Sequence, residues 1–387
     1  LFYEQDILFY KYWKMKVLIA TDSFKDAAGS FAVCESIKNG WIKSSPHDDV
    51  SCFPLADGGE GLIDILKLYL EMDLVSVMVD DALRRKKEAH FLFSETKKLA
   101  VIEIAQAIGL QHLSPSERNP LHTSSYGVGE LINHACKLGA TDIIIGLGGS
   151  STNDAGMGMA KALGWRFLDD IGKDCEPIGN ELIKVFQILP PAKFIGSKVK
   201  FDVLCDVDNP LFGSNGAAFV FAPQKGADIS AVKYLDNGLK HFYGICSQIN
   251  NTVKQNLPGA GAAGGLGYGT SFFLGASLKS GIDLILKYSN IEKFIPETDL
   301  VITGEGALDK QTLQGKLIKG VCQMAKKYDK PVIAICGALD LTSEELTALG
   351  LKAAFSISQG PGSLEDALLN TEMNLMHTAF SIAQVMK

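Results

Sequence analysis

The chain has 387 residues, enough for two domains of ordinary size. At 47% hydrophobic and 21% charged residues it cannot be a disordered or collagen-like chain. Lysine and arginine number 37 against 44 acids, a formal charge of −7, so there is no basic excess to neutralise a nucleic acid or an anionic membrane, and an anionic ligand must be held by local features.

Residues 1–14, LFYEQDILFYKYWK, mix acids with aromatics and lack the basic start and small-residue cleavage site of a signal peptide. They are expected to be an extension outside the fold, with Met15 as the natural start. From there KVLIA reads as a short apolar strand that breaks into Thr21, Asp22 and Ser23, followed by a helix-compatible stretch to Trp41. A second strand, Val50 to Pro54, ends in ADGGEG, after which Leu62, Ile65, Leu66 and Tyr69 recur at helical spacing. The character then changes. Leu74 to Val79, His90 to Phe93 and Lys98 to Ile104 are separated by turn-like or charged segments and predict antiparallel strands.

A helical stripe from Val128 to Leu138 ends at Gly139 and leads into the strand TDIIIG; a glycine turn, GLGGSSTND, opens the next helix, and FDVLCDVDN supplies a later strand. The glycine-dense PGAGAAGGLGYG precedes a helical pattern over Phe272 to Tyr288. The last hundred or so residues return to the opening rhythm, with strands DLVITG, PVIAIC and AAFSIS each followed by a polar loop and a helix. Two such strands at the start and three at the end predict one parallel sheet with buried faces. The expected architecture is α/β, a doubly wound parallel-sheet domain over 15–74 and 290–387 interrupted by an inserted mixed α/β domain over 75–289. Eight scattered cysteines without a CxxC pair read as buried reduced thiols, and no apolar run nears the roughly 18 residues of a membrane span, so a soluble cytoplasmic protein is expected.

In a doubly wound sheet, ligands sit beyond the C-terminal strand ends. The loops there include TDSFKD, with Asp22, Ser23 and Lys25; ADGGEG, with Asp57, Gly58, Gly59 and Glu60; and GEGALDKQT, with Glu305, Asp309 and Thr312. They combine carboxylates with glycines or a lysine, as a phosphate and metal site requires. Taken singly, each also reads as an ordinary turn. GLGGSSTND offers Gly148, Gly149, Ser150, Asn153 and Asp154 at a helix start, either an anion site or a capped helix. Asp206, Asp208 and Asn209 leave a strand together, and His122 and Thr123 lie in the donor-rich NPLHTSSYGVGE.

GAGAAG at Gly259 to Gly264 matches GxGxxG, but Pro258 and a polar stretch precede it where a dinucleotide site needs a strand. It is better read as a backbone-amide cradle for phosphates, with Gly261, Gly264 and Gly265 as contacts. A rival reading, an NAD-dependent hydroxyacid dehydrogenase, rests on that string. A second rival is a non-catalytic protein that binds a sugar acid.

Taken together, DSFK, PLADGGEG, RNPLHTSSYGVGEL, GGSSTNDAGMGM, CDVDNPLFG, GAGAAGGLGYG, GEGALDKQTLQGK and SQGPGSLEDA run in order from Asp22 to Ala367. In these strings the chain resembles the bacterial glycerate kinases that phosphorylate the 2-hydroxyl of D-glycerate. The resemblance implies a flavodoxin-like domain interrupted by a mixed α/β domain, and ATP, Mg²⁺ and D-glycerate as ligands in an interdomain cleft. It leaves the oligomeric state open and does not hand over a catalytic base. Phosphoryl transfer asks for positioning, charge neutralisation and an acid near the attacking hydroxyl. Asp57, Asp154, Asp206 and Asp309 qualify as strand-end acids. Asp206 is the expected base, Glu305 and Asp309 the expected metal ligands, and Lys25 and Lys316 the cationic partners of phosphate or carboxylate.

Overall fold

The computed structural model describes residues 14–56, 61–314 and 317–386. The expected extension over residues 1–14 therefore lies, but for Lys14, outside the described residues. The strands in chain order are β1 (Lys16–Thr21), β2 (Asp49–Cys52), β3 (Asp73–Asp80), β4 (Lys86–Ser94), β5 (Leu99–Glu103), β6 (Asp142–Gly146), β7 (Arg166–Leu168), β8 (Gln187–Leu189), β9 (Lys200–Leu204), β10 (Ser277–Lys279), β11 (Leu300–Leu308), β12 (Val332–Leu339) and β13 (Ala353–Ser356). The chain divides into two compact units, one comprising 58–281 and the other the segments on either side of it.

The discontinuous unit is built on a five-stranded sheet in the order β13-β12-β11-β1-β2, parallel at every pairing. Counted within the sheet this is 2-1-3-4-5, the flavodoxin-like order, whose switch point lies between β1 and β11. β1 is apolar along its length because both faces are covered: Val17, Leu18, Ile19 and Ala20 are all buried. On one face the helices Ser30–Ser44 and Thr371–Val385 pack over Val17, Ile19 and Ile335 through Val33, Ile37, Trp41, Leu375 and Ala379. Gly40 lets the two helices close, since a Cβ there would stand 2.1 Å from the Met376 carbonyl oxygen.

The continuous unit carries a six-stranded mixed sheet in the order β10-β9-β6-β5-β4-β3. Pairings from β10 to β5 are parallel, and β5-β4 and β4-β3 are antiparallel, as the alternating segments near the start predict. A small antiparallel pair, β7-β8, was not expected. The pattern over Phe272 to Tyr288 is not one helix. It breaks at Gly275, which takes φ 66°, then forms β10 along β9 before a new helix starts at Gly281.

The boundaries, 57/58 and 281/282, fall earlier than the expected 74/75 and 289/290. The reason lies in the helix Leu62–Tyr69. The buried Glu103 carboxylate at the end of β5 accepts from the Gly61 and Ile63 N–H groups at 3.3 and 3.4 Å. An acid at the exposed amides of a helix start is favourable, and it ties this helix to the six-stranded sheet. Among the described residues no helix is long and apolar enough to cross a membrane.

Candidate active site

Two groups of polar residues emerge, one in each unit. In the discontinuous unit the switch point brings together the ends of β1 and β11. Asp22 follows β1, its N–H donating to the Gly304 carbonyl at 2.9 Å, and its Oδ1 accepts from the Ser23 N–H at 2.6 Å. The Lys25 backbone runs against Gly306, where an added Cβ would meet it at 3.4 Å, while the Lys25 side chain is exposed. Beyond β11, Thr312 Oγ1 donates to Glu305 Oε1 at 2.6 Å and accepts from the Asp309 N–H at 3.1 Å. One hydroxyl thus fixes both carboxylate-bearing residues. Asp22, Ser23, Lys25, Glu305, Asp309 and Thr312 all lie at or just past the C-terminal ends of the paired strands β1 and β11. Lys316 and the loop Asp57, Gly58, Gly59 and Glu60 lie outside the described residues.

In the continuous unit the segment Gly148 to Gly158 is the hub. Asp154 is fully buried and accepts four hydrogen bonds, from the Ser125 N–H and Oγ (each 2.8 Å), Gly156 N–H (3.2 Å) and Gly158 N–H (3.1 Å). Burial pushes its carboxyl pKa up, while those four donors favour the charged form. Asp154 therefore organises the turn from within, and the expectation that it faces a ligand or acts as a base is corrected: solvent does not reach it. Thr123 is equally buried and donates to the Ser151 carbonyl at 2.9 Å, whereas His122 beside it is exposed. Thr123 so braces the loop from behind.

The glycine-dense loop is also corrected. Gly261, Gly264 and Gly265 are buried, and a Cβ on Gly264 would stand 2.0 Å from the Thr152 carbonyl oxygen and one on Gly261 2.3 Å from that of Pro210. These glycines permit close backbone packing; they do not form an open phosphate cradle. Asp206, half-buried, accepts from Ser280 Oγ at 3.3 Å and the Gly281 N–H at 3.2 Å. Asn209 donates from Nδ2 to the Asn215 carbonyl at 2.9 Å, and its own carbonyl accepts from the Gly261 N–H at 2.9 Å.

Lys225 was missed by the sequence reading. It ends the short turn Pro223–Lys225, is only 2% exposed, and donates from Nζ to Ser150 Oγ at 2.8 Å and to the Thr152 carbonyl at 2.7 Å. Burial pushes its pKa down to about 7, against the opposing pull of the Asp154 charge. Nothing in FAPQKGAD marks this lysine as buried, because the burial comes from a loop some 75 residues earlier.

The first group joins acids to hydroxyls and an exposed lysine, the second joins a buried lysine to a serine loop, and the ranges that hold them match a known family. The model of the glycerate kinase family matches residues 17–387. The chain belongs to the glycerate kinase family. It is accordingly a kinase, an enzyme that transfers a phosphoryl group to an alcohol, and the dehydrogenase and non-catalytic readings drop out. The glycerate kinase of Bacillus cereus is 43% identical over 96% of this chain and 98% of that protein. The glycerate 2-kinase of Escherichia coli K12 is 39% identical over 95% and 97%. A crystal structure from Salmonella typhimurium LT2, described as a candidate glycerate kinase 2, matches with a TM-score of 0.81 at 39% identity, covering 97% of this chain and 98% of its own.

Proposed function

We propose that this kinase transfers the γ-phosphoryl group of ATP to the 2-hydroxyl of D-glycerate, giving 2-phosphoglycerate and ADP. The observation that carries the nucleotide half is the Glu305–Thr312–Asp309 arrangement at the β1/β11 switch point, beside Asp22, Ser23 and Lys25. Among the described residues no group of three or more His, Cys, Asp or Glu side chains forms a metal cage. Nucleotide-bound Mg²⁺ does not need one, since it takes one or two carboxylates and completes its shell with phosphate oxygens and waters. Glu305 and Asp309 fit that donor set and would hold it, and the ion supplies charge neutralisation on the phosphates.

Ser23 and the exposed ammonium of Lys25 bind phosphate oxygens. The acceptor half belongs to the continuous unit, where Asp206 takes the proton of the attacking hydroxyl; the bonds from Ser280 and Gly281 hold its carboxylate in one orientation. The choice of the 2-hydroxyl is supported by the relative named glycerate 2-kinase. The test is ADP release from ATP with D-glycerate, with the phosphorylated carbon read by ³¹P NMR. Absence of glycerate-dependent ADP would overturn the activity, and 3-phosphoglycerate as product would overturn the position.

A further inference from the structure

We propose that Lys225 is a positioning residue for an anionic substrate oxygen, acting through Ser150. In the 2.8 Å contact between them Lys225 Nζ donates and Ser150 Oγ accepts, the one direction open to the ammonium form. The Ser150 hydroxyl proton is then directed away from Lys225, with no acceptor for it among the described residues. Ser150 is 7% exposed, its neighbour Gly149 is exposed and Gly148 half-buried, so this part of the loop is the part that a ligand can reach.

The second Lys225 bond, to the Thr152 carbonyl, fixes the other side of the same turn. Ser151 between them is anchored to the Ile108 carbonyl through both its N–H (2.9 Å) and its Oγ (2.8 Å). The loop is therefore rigid before any ligand arrives, as a site built for preorganised donation requires. Its polarity is also unfinished: Thr152 Oγ1 and both side-chain polar atoms of Asn153 are buried without a partner, although both residues have no exposed surface. Buried polar atoms are nearly always paired. Those atoms lie inside the turn, whereas Ser150 Oγ sits at its rim, beside a buried cation whose two hydrogen-bond partners are both neutral, and is the donor that a carboxylate or phosphate oxygen completes.

The chemistry fits either the carboxylate of the acceptor acid or a phosphate of the nucleotide; the choice between these substrates rests on the function proposed above. Lys225→Met and Ser150→Ala should each raise KM at least tenfold for one of the two substrates and leave the other within threefold. A shift in KM for D-glycerate identifies the carboxylate, and a shift in KM for ATP identifies the phosphate. Because Lys225 acts through Ser150, the double variant should be no worse than Lys225→Met alone. Both KM values unchanged with only a lower Tm, or effects that multiply in the double variant, would overturn the proposal. Should Lys225→Met fail to fold, Ser150→Ala decides alone: an unchanged KM for both substrates overturns it. Wild-type enzyme that releases no ADP with D-glycerate would defeat the functional reading instead. The loop is then tested by thermal protection with inorganic phosphate, expected for the wild type and lost in Ser150→Ala; equal protection of both would overturn the proposal.

Discussion

At the scale of single residues, the acids and lysines separate by what surrounds them. Thr312 Oγ1 binds the Glu305 carboxylate and the Asp309 backbone N–H, whereas the half-buried Asp206 carboxylate accepts from the Ser280 hydroxyl and the Gly281 amide. Asn in place of a base keeps the shape and cannot take the proton, while Asn in place of a metal ligand mainly weakens the ion. Asp206→Asn should therefore depress kcat at every Mg²⁺ concentration, and Asp309→Asn should be partly rescued by raising Mg²⁺. A reversed rescue pattern in steady-state assays would exchange the two roles. Lys25→Ala should lower turnover at least tenfold with Tm unchanged, since the side chain is exposed; tenfold is about 1.4 kcal/mol of transition-state stabilisation. Near-wild-type turnover at saturating ATP and glycerate would remove Lys25 from the phosphate site.

Lys225 makes a prediction of the opposite kind, on stability. Its pKa falls from 10.5 to about 7 on folding, so between those values the unfolded chain binds more protons and stability rises with pH. The full cost of the buried charge is carried below pH ~7 and relieved as the pH climbs toward ~10. From pH 7 to pH 9 the wild type should gain about 2 kcal/mol relative to Lys225→Met, at ~1.4 kcal/mol per pK unit. Urea titrations of the two proteins at the two pH values give the difference directly, and parallel pH dependences would show that the ammonium is not desolvated in solution.

At the scale of elements, most strands are legible because an apolar run of five or so residues between polar loops has few other ways to be buried. KVLIA, TDIIIG, DLVITG, PVIAIC and AAFSIS all lie on strands of the two sheets. The elements that escape are those whose signal is shared or short: β7 and β8 have three residues each, and the break at Gly275 sits in a run whose apolar spacing still reads as helix. The glycine-dense loop shows how a motif can be right about glycine and wrong about its use. Ala263, Gly264 and Gly265 take φ of 52°, 69° and 88° in succession, a left-handed path that carries the chain against Thr152 and Asn153.

Gly264→Ala adds a Cβ 2.0 Å from a carbonyl oxygen at that positive φ. Overpacking costs about 1–3 kcal/mol and left-handed strain about 1–2 kcal/mol, so a loss of at least ~2 kcal/mol is expected in urea denaturation. A loss below ~0.5 kcal/mol, the level of an ordinary surface substitution, would mean that the loop shifts freely.

At the scale of the whole molecule, the chain leaves the five-stranded sheet after β2 and returns to it at β11, so the sheet is completed only after the 58–281 unit has been made. The chain enters β1 at Met15, whose N–H donates to Asp48 Oδ1 at 3.0 Å, while Trp41 Nε1 donates to the other carboxylate oxygen at 2.8 Å. A chain begun at Met15 keeps that bond through its free amine, and activity and Tm should be unchanged. A clear loss of either would assign a packing role to the residues before it.

What the sequence determined by itself is the order and class of the elements, the return to the first sheet, and which loops carry acids, hydroxyls and glycines at strand ends. These are local facts, set by apolar spacing and by turn chemistry over a few residues. The motif strings added the family. Only the tertiary structure decided which of those residues face outward: Asp154 and the loop glycines are inside, and Lys225, unremarkable in its own stretch, is drawn beneath Ser150 and Thr152. It also decided that the helix Leu62–Tyr69 goes with Glu103 and not with the strand that precedes it. Burial and partner choice depend on segments tens of residues apart, and no local pattern encodes which distant carbonyl or carboxylate will meet a given side chain.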